Sequence, residues 1–455
     1  ILMGVNSNGG DNTMKAGVAS TIITPPVGGW LLGPVARSTG VHDDLYAKAL
    51  VLDDGNQAAA IVCLDLVGLS HAFNDELVEL IRRQTQVETV LINCSHTHSS
   101  PFSMPWSYNG WKAHCEEETE WCDELRAAVP GIVEEAAARM TPVSLYAARA
   151  PVKIGVNRRL MTEDGITMAP NPDGPEMPWV DVLQVVEKGG DNLAVLFTYA
   201  AHPVIVHSAS RLISADYCGV AVDVIREHLG EGVMPLFAQG CSANINGHPL
   251  RGGHAKAEDA GVKLGNAVWE ALYVEECVPI EVDTFRIASE TIWLACEDLP
   301  SAETCAEVIS ELEEESQNEG NSGEWGVENR LNCLKSLQNM IEQNQPPEVR
   351  FDITAVMLGD EWCLVAMPHE VFCDYALWME EMSPFARTVA WSYTNGCESY
   401  IPTDKDLELG VRGGYEAAGF PRLAAALVYA SRLACRSGIE GQIKDGIRRI
   451  WSKKD

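Results

Sequence analysis

Two imidazoles stand one residue apart in NCSHTHSSP, Asn93 to Pro101, straight after the apolar run VETVLI, in a chain with only 11 histidines. A His-x-His pair decides little alone, because hydrogen bonds to Ser95, Ser99 or Ser100 would account for it as well as a metal would. The weight comes from where the other unusual side chains fall. His202 ends a second apolar run in FTYAAHP, Glu370 a third in LVAMPHE, and Tyr400 follows ARTVAWSY in NGCESYIP. Ligands of open α/β sheets bind in the crevice at the carboxyl ends of the strands. Imidazole nitrogens and a carboxylate oxygen are donors that Zn2+ accepts, leaving a position for water. Zinc held there would lower the pKa of a bound water to about 7 and polarise a carbonyl.

Several polar residues keep two readings at this level. Either His202 or His207, both in AHPVIVH, could be the second histidine ligand. His248 and His254, in the glycine-rich NGHPLRGGH, could line a pocket, while His369 is expected to point away from Glu370. Asp181 in WVDVLQV and Asp216 in LISADY could orient a histidine or cap an element.

These residues need a scaffold, and strands and helices alternate along the chain. AGVASTIITPP reads as a strand, and KALVLDDGNQAAAIVCLDLVG as two strands turning at Asp54-Gly55. FNDELVELIRRQ is helical, VETVLINCS returns as a strand, and CDELRAAVPGIVEEAAARM is a helix interrupted near Pro130. LAVLFTYAAHP and VMPLFAQG are strands around the helix GVAVDVIREHLGEG, which Gly230 closes. FDITAVMLGDEWCLVAMP forms a hairpin turning at Gly359-Asp360, and the acidic stretch 302–348 holds two helices separated by NEGNSGEWG. The alternation predicts an α/β fold: one large, mixed-sheet, hydrolase-like domain with helical insertions.

The 33 Lys and Arg against 65 Asp and Glu give a net charge of −32, which repels phosphate backbones and anionic lipid surfaces. A small-molecule substrate is therefore expected, with no nucleic-acid partner and no stable membrane association. No apolar run approaches the ~18 residues of a membrane span. The 14 cysteines include no C-x-x-C pair, so reduced thiols and a cytoplasmic location are expected. ILMGVNSNGGDNTMK lacks a basic stretch followed by an apolar one, although a trimmed leader stays open because the chain starts without Met. Composition sets no oligomeric state.

AGVASTIITPP, GVHDDLYAKALVLDDG, CLDLVG, NCSHTHSSP, GVNRR, LISADYCG, FAQGCSANIN, MPHE and NGCESYIP…GGYEAAG follow one another in the order seen in neutral/alkaline (non-lysosomal) ceramidases. Over residues 15 to 430 the chain resembles the N-terminal catalytic domain of that family. The resemblance implies a zinc amidase that cuts an N-acyl sphingoid base into fatty acid and sphingosine. It also implies that His96, His202, Glu370 and Tyr400 match the zinc ligands, the tyrosine on this ground alone. His98, Arg158 and Tyr415 match groups that meet the scissile amide. His98 would accept or return a proton. Arg158 and Tyr415 would donate to the developing oxyanion, a contribution of ~3–4 kcal/mol per well-placed donor. Arg158 as a salt-bridged surface residue beside Arg159, and Tyr400 and Tyr415 as packing residues, are the competing readings.

The chain also departs from the family. Where ceramidases carry a serine in the segment matching FAQGCSANINGHP stands Asn246, and Ser242 lies four residues earlier. Covalent serine catalysis is therefore not expected, and the Asn246 carboxamide is left to position substrate or water. Family members continue into an immunoglobulin-like domain, whereas this chain stops after IKDGIRRIWSKKD, as a divergent member lacking that domain would. The loops NGHPLRGGH, NGCESYIPTD and PNPDGPEMP predict a polar rim and a soluble substrate rather than ceramide. The expected organisation is a disordered leader (1–14), a catalytic domain (15–430) with an acidic helical insertion (302–348), and a helical tail (431–455). The expected function is zinc-dependent hydrolysis of an amide by metal-activated water. The alternatives are an ester, lactone or glycosidic bond on the same platform, or an inactive metal-holding binding protein.

Overall fold

The apolar runs around the histidines become strands of a nine-stranded mixed sheet in the computed structural model, which describes residues 13–33, 36–101, 116–318, 334–335, 337–418 and 433–453. Eight strands run in the order Met234–Gln239, Asn192–Tyr199, Trp179–Glu187, Thr141–Pro151, Lys15–Ile22, Tyr46–Asp53, Ala58–Leu64 and Thr89–Cys94, and Val278–Ile280 pairs beside Thr141–Pro151. The two outer pairs are parallel and the inner neighbours antiparallel. A second sheet of four strands follows the order Phe285–Ala295, Glu348–Leu358, Trp362–Ala366 and Arg387–Trp391. Its central hairpin turns at Gly359, whose φ of 56° suits a residue without a Cβ.

Strand alternation sends side chains to both faces, and both are buried. Leu50 and Leu52 join Leu236, Leu364 and Trp391 between the two sheets. Val51 faces the other way, into the core under helices His71–Thr85 and Glu116–Ala138. Helices Asp216–Leu229 and His254–Tyr273 continue that cover, packing Tyr217, Ala221 and Leu264 against Phe197 and Phe237. Ile439–Ser452 packs Ile443 and Ile447 with Phe351 and Ile353 on the outside of the second sheet. The layers run helix, sheet, sheet, helix, and the expected α/β mixed-sheet architecture holds.

Three local expectations are revised. Glu116–Ala138 runs unbroken through Pro130, because Val129, Ile132 and Val133 are buried, each contributing ~1.5–3 kcal/mol against the ~3 kcal/mol cost of an interior proline. Within the stretch expected to be helical at the C-terminal end, the helix is Ile439–Ser452, with Ile443 and Ile447 packed. Thr141–Pro151 and Phe285–Ala295 carried no clear strand signal, the first being alanine-rich and the second exposing several of its residues. In the stretch 302–348 the first helix is Ala302–Asn318, and the rest of NEGNSGEWG lies outside the described residues.

The two edges of the large sheet converge at their carboxyl ends. Gln239 N–H donates to Asn93 Oδ1 at 2.7 Å, and Asn93 Nδ2 donates to Gln239 O at 3.3 Å. Asn93 Nδ2 also reaches Ser392 O at 2.8 Å, which ties this seam to the second sheet. All the candidate residues hang from that seam or beside it.

Candidate active site

His96 and His98 leave the strand Thr89–Cys94, with His96 at φ +67° and its backbone N–H on Leu66 O. Its Nδ1 lies 2.5 Å from Val67 O. A carbonyl can only accept, so Nδ1 carries the hydrogen and the Nε2 lone pair faces the site. The same logic holds for His202, whose Nδ1 lies 2.9 Å from Ser242 O. Both free lone pairs face one carboxylate: Glu370 Oε2 is 3.0 Å from His202 Nε2 and 3.6 Å from His96 Nε2. Burial holds His96 down to about 3 and lowers His202 as well, so both rings are neutral. Burial alone would raise the Glu370 carboxyl, but the fixed positive charge of Arg158 works against it and favours the ionised form. Three buried electron-pair donors thus converge with no hydrogen between them, an arrangement that a divalent cation fits.

His98 completes a cluster with His96 and His202 in which the ring nitrogens lie within 4.8 Å of one another. Its Nε2 is 3.3 Å from His96 Nε2. The serines that could have explained these rings do not bind them. Ser95 Oγ and Ser99 Oγ have no partner among the described residues, and Ser100 Oγ donates to Thr97 O.

The remaining residues come from short paired segments. Glu370 and Tyr400 are direct partners in a two-residue parallel ladder. Gly155–Asn157 pairs with Ile245–Gly247, which puts Arg158 and Asn246 side by side. Arg158 donates from Nη1 to Asn246 Oδ1 at 3.2 Å, from Nη2 to Tyr400 Oη at 3.4 Å, and from Nε to Glu416 Oε1 at 2.8 Å. Burial would lower its pKa, but Glu416 and its other neighbours keep it raised and the charge fixed. Tyr415 packs edge-on against Tyr400 with ring centroids 5.6 Å apart. A cavity of about 280 Å³ is lined by His96, His98, Arg158, Asn246, Glu370, Tyr400 and Tyr415, with His202 fully buried behind it.

Other expectations are corrected. Arg158 is salt-bridged but buried, and Arg159 is buried too, paired with Glu416 and Asp406 rather than facing solvent. Asp181 binds Arg149 and Arg387, and Asp216 accepts the backbone N–H groups of Val206 and Tyr217, so neither orients an imidazole. His248 and His254 are absent from the cavity wall, whereas His207 is on it. His369 does face away, accepting from Glu398 N–H. The rim is not uniformly polar: Leu32, Met168, Val204 and Leu250 line it, while PNPDGPEMP contributes no wall residue. Tyr393 was missed. It sits at φ +54°, with its hydroxyl 3.4 Å from Glu370 Oε2 and its ring 4.3 Å from that of His96. Sequence offered only its place near Tyr400.

A sequence model described as "Neutral/alkaline non-lysosomal ceramidase, N-terminal" matches residues 17–241. Over those residues this chain belongs with the neutral/alkaline ceramidase family. The matched segment of this family member contains His96, His98, Arg158 and His202, whereas Asn246, Glu370, Tyr400 and Tyr415 lie beyond it. Among solved structures it is similar to the neutral ceramidase from Pseudomonas aeruginosa, with a TM-score of 0.67 and 17% identity over 93% of this chain and 77% of that one. A structure titled "Ceramidase complexed with C2" matches with the same values. At that identity the likeness establishes a shared ceramidase fold.

Proposed function

We propose that this chain hydrolyses an amide bond with a zinc ion held by His96, His202 and Glu370, with Tyr400 beside them. The observation that carries this is the convergence of two neutral imidazole lone pairs on an ionised carboxylate at 3.0 and 3.6 Å, inside a cavity. Zinc held there would supply Lewis acidity and a water of pKa near 7. The protein's own groups do the rest. His98, on the cavity wall and neutral, is placed to take a proton from the attacking water and return it to the leaving nitrogen. The Arg158 guanidinium, immobilised by Glu416, and the Tyr415 phenol, both on the cavity wall, would donate to the developing oxyanion. Asn246 Oδ1 is occupied by Arg158, so its amide nitrogen is left to hold substrate. Ser242 is fully buried, donates to Tyr393 Oη at 3.1 Å and is absent from the cavity wall, which supports attack by water over a serine ester.

The cavity, about 280 Å³, is at the small end of small-molecule sites (roughly 300–1,000 Å³) and suits a soluble N-acyl compound with one short apolar segment better than a two-chain ceramide. Elemental analysis should find one zinc per chain, with His96→Ala and Glu370→Ala both depleted. Chelation should abolish turnover of a panel of N-acyl amides. Full zinc in both variants would overturn the site. Faster turnover of esters, or of long-chain ceramide in detergent micelles, would overturn the bond or the substrate class.

A further inference from the structure

The cavity has a cationic wall that hydrolysis does not use. Arg251 and His207 both line it. The Arg251 side chain makes no hydrogen bond or ion pair among the described residues; its only bond is from the backbone N–H to Val204 O, at 3.1 Å. His207 Nδ1 accepts from Ser208 N–H at 2.6 Å, so the ring hydrogen sits on Nε2, and that donor also has no partner among the described residues. Both backbones are left-handed, His207 at φ +40° and Arg251 at φ +61°. Such conformations are sparsely populated and gather at ligand clamps. The apolar side chains beside them are Val204 and Leu250.

An unpaired guanidinium next to an N–H donor is the hardware for a carboxylate. Resting on the hydrolase reading for its orientation, we infer that Arg251 and His207 hold a carboxylate on the substrate while its amide lies toward His96 and Glu370, so the substrate class is an N-acyl compound bearing an acid, such as an N-acyl amino acid. The net charge of −32 does not oppose this, because charges beyond ~8 Å are screened at physiological ionic strength, whereas Arg251 acts in direct contact. The Val204 and Leu250 side chains then pack along the aliphatic part.

The test compares two probes on the zinc-loaded protein by calorimetry: N-hexanoylglycine and its uncharged carboxamide, N-hexanoylglycinamide. Wild type should bind the acid about 10- to 100-fold more tightly than the carboxamide, the range of a charge-assisted hydrogen bond. Arg251→Gln should bring the two probes within twofold of each other, and Arg251→Lys should restore part of the gap. Equal binding by wild type, or a gap that survives Arg251→Gln, overturns the inference. Hydrolysis of an uncharged N-acyl amide is measured on the same preparation. Absent turnover with an Arg251-dependent gap would sink the hydrolase reading alone, and turnover without the gap would sink the clamp alone.

Discussion

Glu416→Gln isolates the group that fixes Arg158 while leaving the shape of the site intact. Glu416 accepts from Arg158 Nε at 2.8 Å and from Arg159 Nη1, and all three side chains are at most 5% exposed. Asp406 answers Arg159 at 2.9 Å, so the local charges are two positive and two negative. Neutralising Glu416 removes two attractions, each worth about 4 kcal/mol at 4 Å and an effective dielectric of 20. The carboxamide regains part of this by hydrogen bonding and spares the desolvation of a charge. The net cost expected is therefore ~3–5 kcal/mol, the usual result of orphaning a buried ion. Arg158 then loses its fixed direction, and a misplaced oxyanion donor costs ~10²–10³ in kcat. Thermal unfolding, zinc content and steady-state kinetics on one preparation separate the effects. The expected result is a lower Tm, unchanged zinc stoichiometry, and a fall in kcat much larger than any change in KM. Wild-type kcat with a lowered Tm would show that Glu416 stabilises without positioning, and wild-type values of both would refute the reasoning altogether.

Two further outcomes follow from side chains near the site. Ser242→Ala removes only the buried bond to Tyr393, so it should keep most of its activity; a covalent adduct trapped on Ser242 and seen by mass spectrometry would contradict this. Burial pushes Asp216 up from 3.8 to about 6, with the backbone donors of Val206 and Tyr217 pulling the other way. A carboxyl raised in the folded state contributes its stability fully below pH 4 and loses it as pH rises through 6. A shift of about two units amounts to ~3 kcal/mol. The Tm difference between Asp216→Asn and wild type should therefore move in the variant's favour between pH 4 and 6.5, and a constant difference would show that Asp216 does not titrate there.

Sequence revealed the strands that end in the candidate residues because their apolar runs are long and interrupted by polar residues only at the ends. It revealed less where tertiary burial overrides local preference. The Pro130 helix survives on its buried face, and the Phe285–Ala295 strand is polar because it is partly exposed. His96, His202 and Glu370 were legible from their places at strand ends, whereas Arg158, Asn246, Tyr415 and the ligand role of Tyr400 came only through the family resemblance, and the cavity's surroundings were not legible at all. Tyr393 differs from any core tyrosine only by the left-handed backbone that turns it toward Glu370. The rim looked polar because Leu250 sits in a glycine-rich loop and Val204 follows a histidine, and neither position tells which way the side chain faces.

The seam stitched by Asn93 and Ser392 joins residues 299 apart in the chain. During synthesis this imposes an order. Glu370 emerges 168 residues after His202, roughly 8–34 s later at ribosomal rates of 5–20 residues per second. Once Ile280 has emerged within that interval, the large sheet has its strands but lacks the second-sheet strands that later cover Leu50, Leu52 and Leu236. The nascent N-terminal half is thus a sticky species with an unfinished site, and a ribosome stalled in that window would leave a product suited to chaperones and proteases rather than to substrate.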